Sequence, residues 1–255
     1  MSLSFALLGS GSEGNGLLVR IGTTVVMVDC GFSSVETERR LTRLGISPEY
    51  IVALLVTHEH GDHMGGVSAF SERWNCPVWG SYGTLKALEP DFPDHLRVVI
   101  KAEQIKKLPG LDITPYSVPH DSREPLQFTF QSAQHKLGLL TDAGSVTPHM
   151  EYHLQNCHAL ILETNYEPDW LERGPYPPSL KERVRGPYGH LSNQDAALLL
   201  SRVQHAHLKW VVAAHISHKN NTKELAAEAL FKVLGHSDSI LLADQKAGLQ
   251  WTSCA

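Results

Sequence analysis

The sequence predicts an α/β fold, and two observations support this. Short apolar runs recur along the chain as they do in β-strands, and several are apolar enough to be covered on both faces. Helical patterns lie between these runs in both halves of the chain, without a low-complexity linker, a repeat or a long charge run. This alternation predicts that residues 1–255 form one domain built from two βα halves.

The predicted strands are spread over the whole chain. In order, they are SFALL, LLVRI, TVVMVD, IVALLVTH, LDITPYSV, LQFTFQS, LGLLTD, ALILET, KWVVAAH and SILLAD. The least regular stretch runs from Tyr166 to His190 and is rich in Pro and Gly. We expect it to be an ordered loop that covers another part of the molecule.

Three helices are predicted from their end signals. Ser33 or Ser34 can cap a helix that ends at Gly45. Ser192, with an acidic residue three positions later, forms a capping box at the start of the helix DAALLLSRV. A third helix, TKELAAEALFKVLG, is expected to end at Gly235.

Composition restricts the function classes. The chain has 255 residues, of which 42% are hydrophobic, and a formal net charge of -5, so no global positive field is available to hold nucleic acid. A polyanion must therefore be bound by a local patch. The sequence contains neither a signal-peptide pattern nor an apolar run of about 18 residues that a membrane span needs. Its four cysteines form no CxxC pair, which is typical of reduced thiols. We expect a cytoplasmic protein without a membrane association, and no feature indicates an oligomeric state.

The segment THEHGDH concentrates metal-binding side chains directly after an apolar strand. His58 and His60 occupy alternate positions and project to the same side of an extended chain. Asp62 and His63 follow at a glycine turn, where a helix can begin. Imidazole and carboxylate groups are ligands for Zn, Mn or Fe. These four donors can complete only part of two metal shells, so further ligands are expected from later strand ends.

Three later strand ends offer such ligands. They are His120 after DITPYSVP, Asp142 after LGLLT and His215 after WVVAA. Taken singly, each can equally be a satisfied or solvated polar residue at a strand end. Behind the THEHGDH segment, and in the same strand-end context, they become candidate ligands.

THEHGDH, followed in order by VPH, LTDAG and AAHIS, resembles the metallo-β-lactamase superfamily over essentially the whole chain. The resemblance implies a four-layer αββα sandwich with the site at one edge, between the two sheets. It also implies two divalent metal ions. By this resemblance, one ion is bound by His58, His60 and His120, the other is bound by Asp62, His63 and His215, and Asp142 bridges them.

Asp142 and Asp29 make the expected site more specific. The cysteine ligand of the β-lactamase branch is absent, and the bridging position is Asp142, as in the phosphodiesterase, glyoxalase and nuclease branches. Asp29, in VMVDCG, resembles the early aspartate that supports the ligand loop from behind, although it can also be a simple strand-end cap.

The chemistry follows from the metals. Two ions about 3.5–4 Å apart lower the pKa of a bridging water and clamp both the attacking and the leaving oxygen of a phosphodiester. A bridging hydroxide can then attack without a covalent nucleophile from the protein. We expect Asp62 to orient this hydroxide while it binds its metal.

Two further segments resemble the YycJ/WalJ-like subgroup of the superfamily. In GSGSEGN, the side chains of Ser10, Ser12 and Asn15 can donate hydrogen bonds to phosphate oxygens, although a glycine hairpin needs no such function. The segment ETNYEPDWL, followed by YPPSLKERVRGPYGHLSN, is similar to the same subgroup, and Asn165 within it is a candidate substrate contact.

Basic residues and a histidine in the second segment are also candidates. Lys181, Arg183 and Arg185 form a local basic cluster, which a net-acidic nuclease needs, although a solvated helix face is the simpler interpretation. His190 opens the GHLSN helix and can contact phosphate or protonate a leaving oxygen. Capping by Ser192 explains the rest of that motif without catalysis.

The remaining histidines lack partners in an ordered motif, and we expect them to be surface or packing residues. They are His149, His153, His158, His205, His207 and His236, and His218 is expected to be exposed. Among the aromatic residues, Trp170 and Tyr188 flank the irregular stretch and are candidates for stacking on a base.

The leading functional expectation is a binuclear metal-dependent phosphodiester hydrolase, specifically a DNA exonuclease that acts in the 5′ to 3′ direction in repair. The direction comes from the resemblance alone. A glyoxalase-type thioesterase or a small-molecule phosphodiesterase is the alternative, which the acidic net charge favours. An inert metal-binding scaffold and an RNA-processing endonuclease are further possibilities, and residue types do not distinguish DNA from RNA.

Overall fold

The computed structural model describes residues 2–255. The strands are β1 Leu3–Gly9, β2 Gly16–Ile21, β3 Thr24–Val28, β4 Ile51–Leu55, β5 Val78–Gly80, β6 Arg97–Val99, β7 Lys106–Leu108, β8 Leu111–Ser117, β9 Leu126–Gln131, β10 Lys136–Leu140, β11 Ala159–Glu163, β12 Trp210–Ala214, β13 Ile240–Leu242 and β14 Leu249–Ser253. The helices are α1 Ser34–Arg43, α2 Gly61–Met64, α3 Val67–Trp74, α4 Tyr82–Leu85, α5 Pro148–Leu154, α6 Pro168–Arg173, α7 Pro178–Arg185, α8 Asn193–Val203 and α9 Lys223–Leu234.

The strands form two seven-stranded sheets. Their orders are β14-β1-β2-β3-β4-β5-β6 and β13-β12-β11-β10-β9-β8-β7. In the first sheet β14, β1, β2 and β3 are antiparallel, whereas β3 to β6 are parallel. In the second sheet β10 to β13 are parallel, and β7 to β10 are antiparallel. Each sheet is therefore half parallel and half antiparallel.

The apolar residues separate into three layers of core. Side chains such as Phe5 and Val26 of the first sheet meet Phe128 and Ile161 of the second, because alternate residues of each strand face the space between the sheets. The opposite face of the first sheet packs on α1 and α3. The opposite face of the second sheet packs on α5, α8 and α9. This arrangement confirms the predicted αββα sandwich.

The predicted helix ends agree with the structure. Ser33 is the N-cap of α1, where its side chain accepts a hydrogen bond from the backbone N–H of Glu36. Ser192 and Asp195 form a capping box at the start of α8. α9 ends at Gly235, whose φ of 76° is the left-handed conformation that glycine adopts most readily. None of the helices within residues 2–255 combines the length and apolar character that crossing a membrane requires.

The predicted loop from Tyr166 to His190 is wrong in one respect, because it contains the two short helices α6 and α7. Proline occupies the first turn of both helices, where its fixed φ suits the helix and its missing N–H costs no hydrogen bond. A small apolar cluster that includes Tyr166, Leu171 and Val184 joins them. A second correction concerns His190, which does not open α8, because the N-cap is Ser192.

Parallel strand ends converge at one edge of the sandwich. In the second sheet, the neighbouring strands β10, β11 and β12 run in the same direction, and Asp142, Glu163 and His215 lie at or just beyond their carboxyl ends. In the first sheet, Asp29 follows β3, and the THEHGDH segment follows the adjacent parallel strand β4. The sheet topology thus brings distant parts of the sequence to one edge.

Candidate metal centre

The structure brings the seven predicted metal ligands together in two groups. Ring nitrogens of His58, His60 and His120 lie within 4.8 Å of one another, and so do ligand atoms of Asp62, His63 and His215. Asp142 lies between the groups. Its Oδ2 is 3.0 Å from His63 Nε2, and its Oδ1 is 4.0 Å from His120 Nε2. The carboxylate is therefore placed to contact both groups.

Two of the histidines are held from behind by buried carboxylates. His63 Nδ1 lies 2.8 Å from Asp29 Oδ2, and His215 Nδ1 lies 3.1 Å from Glu163 Oε1. An N–H at Nδ1 that donates to a carboxylate leaves Nε2 with its lone pair directed at the centre, as in many metal sites. His63 Nε2 and His215 Nε2 both lie near Asp62 Oδ2, at 3.5 and 3.3 Å.

The other group is held by neutral acceptors. His58 Nδ1 lies 3.0 Å from the hydroxyl of Thr57, which donates its own proton to Asp29. His120 Nδ1 lies 3.0 Å from the carbonyl oxygen of Gly189. His60 presents the opposite nitrogen, because its Nδ1 lies 3.2 Å from His120 Nε2.

The acids and histidines of the centre shift one another's pKa values. Burial raises the pKa of the Asp142 carboxyl, but His215 and His63 beside it more than offset this and hold that pKa well below its usual range. Burial likewise raises the pKa of Asp62, but His63 and His215 together outweigh burial and lower this pKa below its usual range. Burial disfavours the charged form of His215, yet Asp142 and the neighbouring acids raise the pKa of His215 to about 10. Such a cluster of ionised carboxylates attracts cations.

Two buried ligand atoms show that the donor set fits a metal. His58 Nε2 and Asp142 Oδ2 are shielded from solvent and have no hydrogen-bond partner with acceptable geometry among residues 2–255. Leaving a buried polar group without a partner costs about 1–3 kcal/mol. A divalent ion satisfies both atoms, and an all-imidazole and carboxylate set suits Zn, Mn or Fe.

Three residues of the site have left-handed backbone conformations. The φ angles of Asp29, Asp142 and His215 are 60°, 55° and 52°. Residues other than glycine occupy this region at a cost of about 1–3 kcal/mol, and they do so mainly at functional sites. Each of the three follows a parallel strand, so the turn out of the sheet directs its side chain toward the centre.

Gly31 allows the ligand loop to pack closely. A Cβ atom at this position would lie 1.8 Å from the carbonyl oxygen of Asp62, which is impossible without movement of the backbone. The same carbonyl accepts a hydrogen bond from the Asn15 N–H at 2.8 Å, and the His63 carbonyl accepts one from the Cys30 N–H at 2.8 Å. The segment around Gly31 therefore fixes the position of Asp62 and His63.

Three of the predicted substrate contacts are engaged by the protein itself. Ser10 Oγ accepts a hydrogen bond from the His215 N–H at 2.8 Å. The amide of Asn15 contacts Asp62 Oδ2 at 3.3 Å and lies 3.1 Å from His63 Nε2. Asn165 donates to the His215 carbonyl at 3.0 Å. These side chains are buried, so the structure places them as supports of the ligands, whereas Ser12 is exposed at the cavity.

A cavity of about 380 Å³ opens beside the predicted ligands. His190, Asp121 and Arg183 contribute to its wall. His190 Nδ1 lies 2.8 Å from Glu163 Oε1. Burial disfavours the charged form of His190, but the Glu163 and Asp142 carboxylates together outweigh this and raise the pKa of the imidazole. The Glu163 carboxyl itself has a pKa lowered to about 2, because His190 and His215 outweigh its burial.

The predicted basic cluster lies on α7, and each of its members has an acidic or carbonyl partner. Arg183 pairs with Asp121 at the cavity. Arg185 Nη1 lies 3.1 Å from Glu172 Oε2, and Lys181 donates to the carbonyl of Glu172. Neighbouring acids therefore neutralise part of the positive charge on α7.

Sequence reasoning omitted Glu163, Asp121 and Thr57 from the site. Thr57 precedes the first ligand, and Asp121 follows His120, so their neighbours in the sequence already pointed to them. Glu163 opens the ETN segment at a predicted strand end, which was the available signal. Its contact with both His190 and His215 depends on the pairing of β11 with β12.

Comparison with known proteins agrees with this geometry. The family described as Beta-lactamase superfamily domain matches residues 24–216. Exodeoxyribonuclease YycJ of Bacillus anthracis is 32% identical over 237 residues, which cover 92% of this chain and 90% of that protein. Exodeoxyribonuclease WalJ of Streptococcus pneumoniae is 28% identical over 243 residues, which cover 93% of this chain and 90% of that protein.

The fold is also similar to a solved structure. The metallo-β-lactamase fold protein YhfI from Bacillus subtilis has a TM-score of 0.76 at 14% sequence identity, with 99% of this chain and 100% of that chain covered. The matched range, from β3 to just beyond β12, contains all seven predicted metal ligands. The chain therefore belongs to the metallo-β-lactamase superfamily, in its YycJ/WalJ-like group, and is a metal-dependent hydrolase.

Proposed function

We propose that the protein is a binuclear DNA exonuclease that removes nucleotides from 5′ ends, with a role in DNA repair. The observation that carries this proposal is the convergence of two ligand groups on Asp142 beside an open polar cavity. The similarity to proteins named exodeoxyribonuclease supports DNA as the substrate.

Each ligand group holds one divalent ion in this proposal. His58, His60 and His120 hold the first, and the second is held by Asp62, His63 and His215, with Asp142 shared. When bound, the two ions supply an activated water and stabilise negative charge on the phosphate oxygens. The remaining work of orienting the substrate and moving protons belongs to the side chains around the cavity.

Asp62 has a double role in the proposal. One of its oxygens, Oδ2, faces His63 and His215, and the residue forms part of the cavity wall. Its carboxylate can therefore accept a hydrogen bond from the attacking water and orient it toward the phosphorus, while it also serves as a ligand.

In this proposal, His190 acts on the leaving group. Its Nδ1–H donates to Glu163, which fixes the ring and leaves Nε2 as the nitrogen that can face substrate. A proton held at Nε2 can pass to the leaving oxygen as the phosphodiester bond breaks. Glu163 thereby positions His190 and His215 together.

Substrate binding in this proposal uses the rim of the cavity. The exposed hydroxyl of Ser12 and the guanidinium of Arg183 are available to phosphate oxygens. Lys181 and Arg185 extend the positive surface along α7. Trp170 and Tyr188 have 46% and 60% of their surface exposed, and they are available to stack on unpaired bases.

The ion pairs that the basic residues of α7 form with acidic residues favour a second candidate function. Because Arg183 pairs with Asp121 and Arg185 with Glu172, and because the net charge is -5, a small substrate is compatible with the site. A small-molecule phosphodiesterase or a glyoxalase-type thioesterase is that alternative.

Cleavage of duplex DNA labelled at the 5′ end tests the proposal in the presence of Mn²⁺. We expect wild-type protein to release labelled mononucleotide progressively and the Asp62→Ala variant to release none. Both should give the same circular dichroism spectrum, because Asp62 lies at the edge of the sandwich rather than in its core. A 3′-labelled duplex run in parallel establishes the direction.

The small-molecule alternative is distinguished from the nuclease by the substrate that is cleaved and by the effect of salt on binding. Turnover of a glutathione thioester or a small phosphodiester, with no cleavage of either labelled duplex by metal-loaded protein, would replace the nuclease assignment. DNA binding should weaken steeply as salt rises, whereas binding of a small substrate that carries few charges should respond much less.

A further inference from the structure

A second cluster of metal-binding side chains lies outside the catalytic centre. It consists of Glu103, His149 and His153, whose ligand atoms lie within 4.8 Å of one another. None of the three belongs to the groups described above. Glu103 lies in the segment between β6 and β7, where the chain crosses from the first sheet to the second, and both histidines lie on α5.

The helix places the two imidazoles side by side. His149 and His153 are four residues apart, so their side chains lie on the same face of α5. Thr147 caps this helix, its side chain accepting a hydrogen bond from the Met150 N–H. At the other side, an ion pair joins Glu151 to Arg202 of α8. The backbone positions of the two histidines are therefore set before any ion binds.

The distances within the cluster suit a common ion. His153 Nε2 lies 3.1 Å from Glu103 Oε1, and His149 Nε2 lies 3.2 Å from the same oxygen. A tetrahedral ion with bonds of about 2.0–2.1 Å separates its ligand atoms by about 3.3 Å. Both distances from Glu103 Oε1 are close to this value, and the ligand atoms of the two histidines lie within 4.8 Å of each other, so an adjustment of the exposed His149 side chain can complete three-point binding.

The surroundings orient the ring of His153. The phenol ring of Tyr116 stacks on it with centroids 4.8 Å apart and an angle of 8° between the planes. The hydroxyl of Tyr116 donates to the Leu139 carbonyl, so the aromatic ring is itself fixed. Burial disfavours the charged form and lowers the pKa of His153, and the neutral imidazole is the form that binds metals.

The carboxylate is also held in place. The backbone N–H of Glu103 donates to the Pro115 carbonyl at 2.8 Å, and its φ is 65°. The side chains of Glu103 and His149 are 52% and 45% exposed, which leaves a path for an ion to enter and for water to complete its shell. The cluster thus combines one buried ligand with two accessible ones.

We infer that Glu103, His149 and His153 form a second divalent-metal site, separate from the catalytic centre, that binds Zn²⁺ or an ion with similar preference for imidazole and carboxylate. Such an ion ties the crossover between the sheets to α5. Its effect is on stability and not on hydrolysis, because none of the three residues contributes to the catalytic cavity.

Counting bound ions tests this inference. The metal-loaded protein is dialysed against a fixed concentration of free Zn²⁺, and the ions per chain are measured by mass spectrometry. We expect the His149→Gln and Glu103→Gln variants to bind about one ion fewer than wild type. His236→Gln, which removes an exposed histidine beyond α9, should bind as many ions as wild type.

Two further readouts separate the site from the catalytic centre. After the catalytic centre is saturated, added Zn²⁺ should raise the Tm of wild type and of His236→Gln but not that of the two cluster variants. Hydrolysis by the cluster variants should equal that of wild type. Equal ion counts in wild type and both cluster variants would show that Glu103 only accepts hydrogen bonds from the two imidazoles. Loss of an ion together with loss of hydrolysis would assign that ion to the catalytic centre, and either result would overturn the inference.

Discussion

The two groups of predicted metal ligands differ in the groups that hold their histidines. In the group of Asp62, His63 and His215, each histidine donates its Nδ1–H to a buried carboxylate, from Asp29 or Glu163. In the other group, His58 and His120 face a hydroxyl and a backbone carbonyl. A carboxylate increases the basicity of the imidazole more than a neutral acceptor does. We therefore expect the carboxylate-backed group to bind its ion more tightly.

The largest effect is expected at the residue shared by both groups. Replacing Asp142 with Asn removes the charge that faces His63 and His215 and weakens both ions at once. Activity should fall by more than about 100-fold, and fewer ions should remain bound after dialysis. The measurement is a rate at saturating Mn²⁺ together with an ion count. Retention of both ions at normal affinity would show that Asp142 does not join the groups.

The next largest effect concerns the hydrogen-bond acceptors behind His63 and His58. Asp29→Asn should weaken the affinity for the tighter ion by about 10–100-fold, because His63 loses its charged partner. Thr57→Val, which removes the neutral acceptor of His58, should have the smaller effect. Competition with a fluorescent chelator measures both affinities. A greater loss in Thr57→Val than in Asp29→Asn would reverse the comparison.

A smaller effect concerns the order in which ions leave. Graded chelation of wild-type protein should remove the ion of His58, His60 and His120 first, in a step separate from the second ion. In Asp29→Asn the two ions should be lost at more similar chelator concentrations, because the affinity for the tighter ion is reduced. Native mass spectrometry follows the steps, and simultaneous loss of both ions from wild type would indicate equal affinities.

The smallest effect lies outside the two groups. Replacing both Arg183 and Arg185 with Ala should weaken DNA affinity and reduce the slope of log K against log salt by about 2, while metal content stays unchanged. The effect is limited because acids already compensate both side chains. Lys232→Ala, which removes a cation from α9, is the matched control. An unchanged salt slope in the double variant would remove α7 from the DNA surface.

Much of the centre was predictable because its ligands follow strands in a recognisable order. His58, His60, Asp62 and His63 lie within six residues, and the apolar runs before Asp142 and His215 are confirmed as strands. The two capped helices were predictable because capping depends on residues a few positions apart. Local chemistry was sufficient in each of these cases.

Other features depend on tertiary contacts that no short segment contains. Glu163 reaches His190 and His215 only because β11 pairs with β12. Ser10 and Asn15 lie in a polar turn that fits phosphate binding in the sequence, but the fold directs them at His215 and at Asp62 with His63. Short strands such as β5 and β6 were not predicted, because three residues carry too little periodicity.

The pairing of β14 with β1 has a consequence for folding during synthesis. Ser4 lies opposite Ser253, so β1 is synthesised well before the strand that pairs with it. Until Leu249–Ser253 arrives, one edge of β1 offers free backbone donors and acceptors to any other extended chain. Contacts this distant in sequence form slowly. We expect the nascent protein to depend on chaperones during this interval, and shortening the chain before Leu249 should produce aggregation rather than a smaller active enzyme.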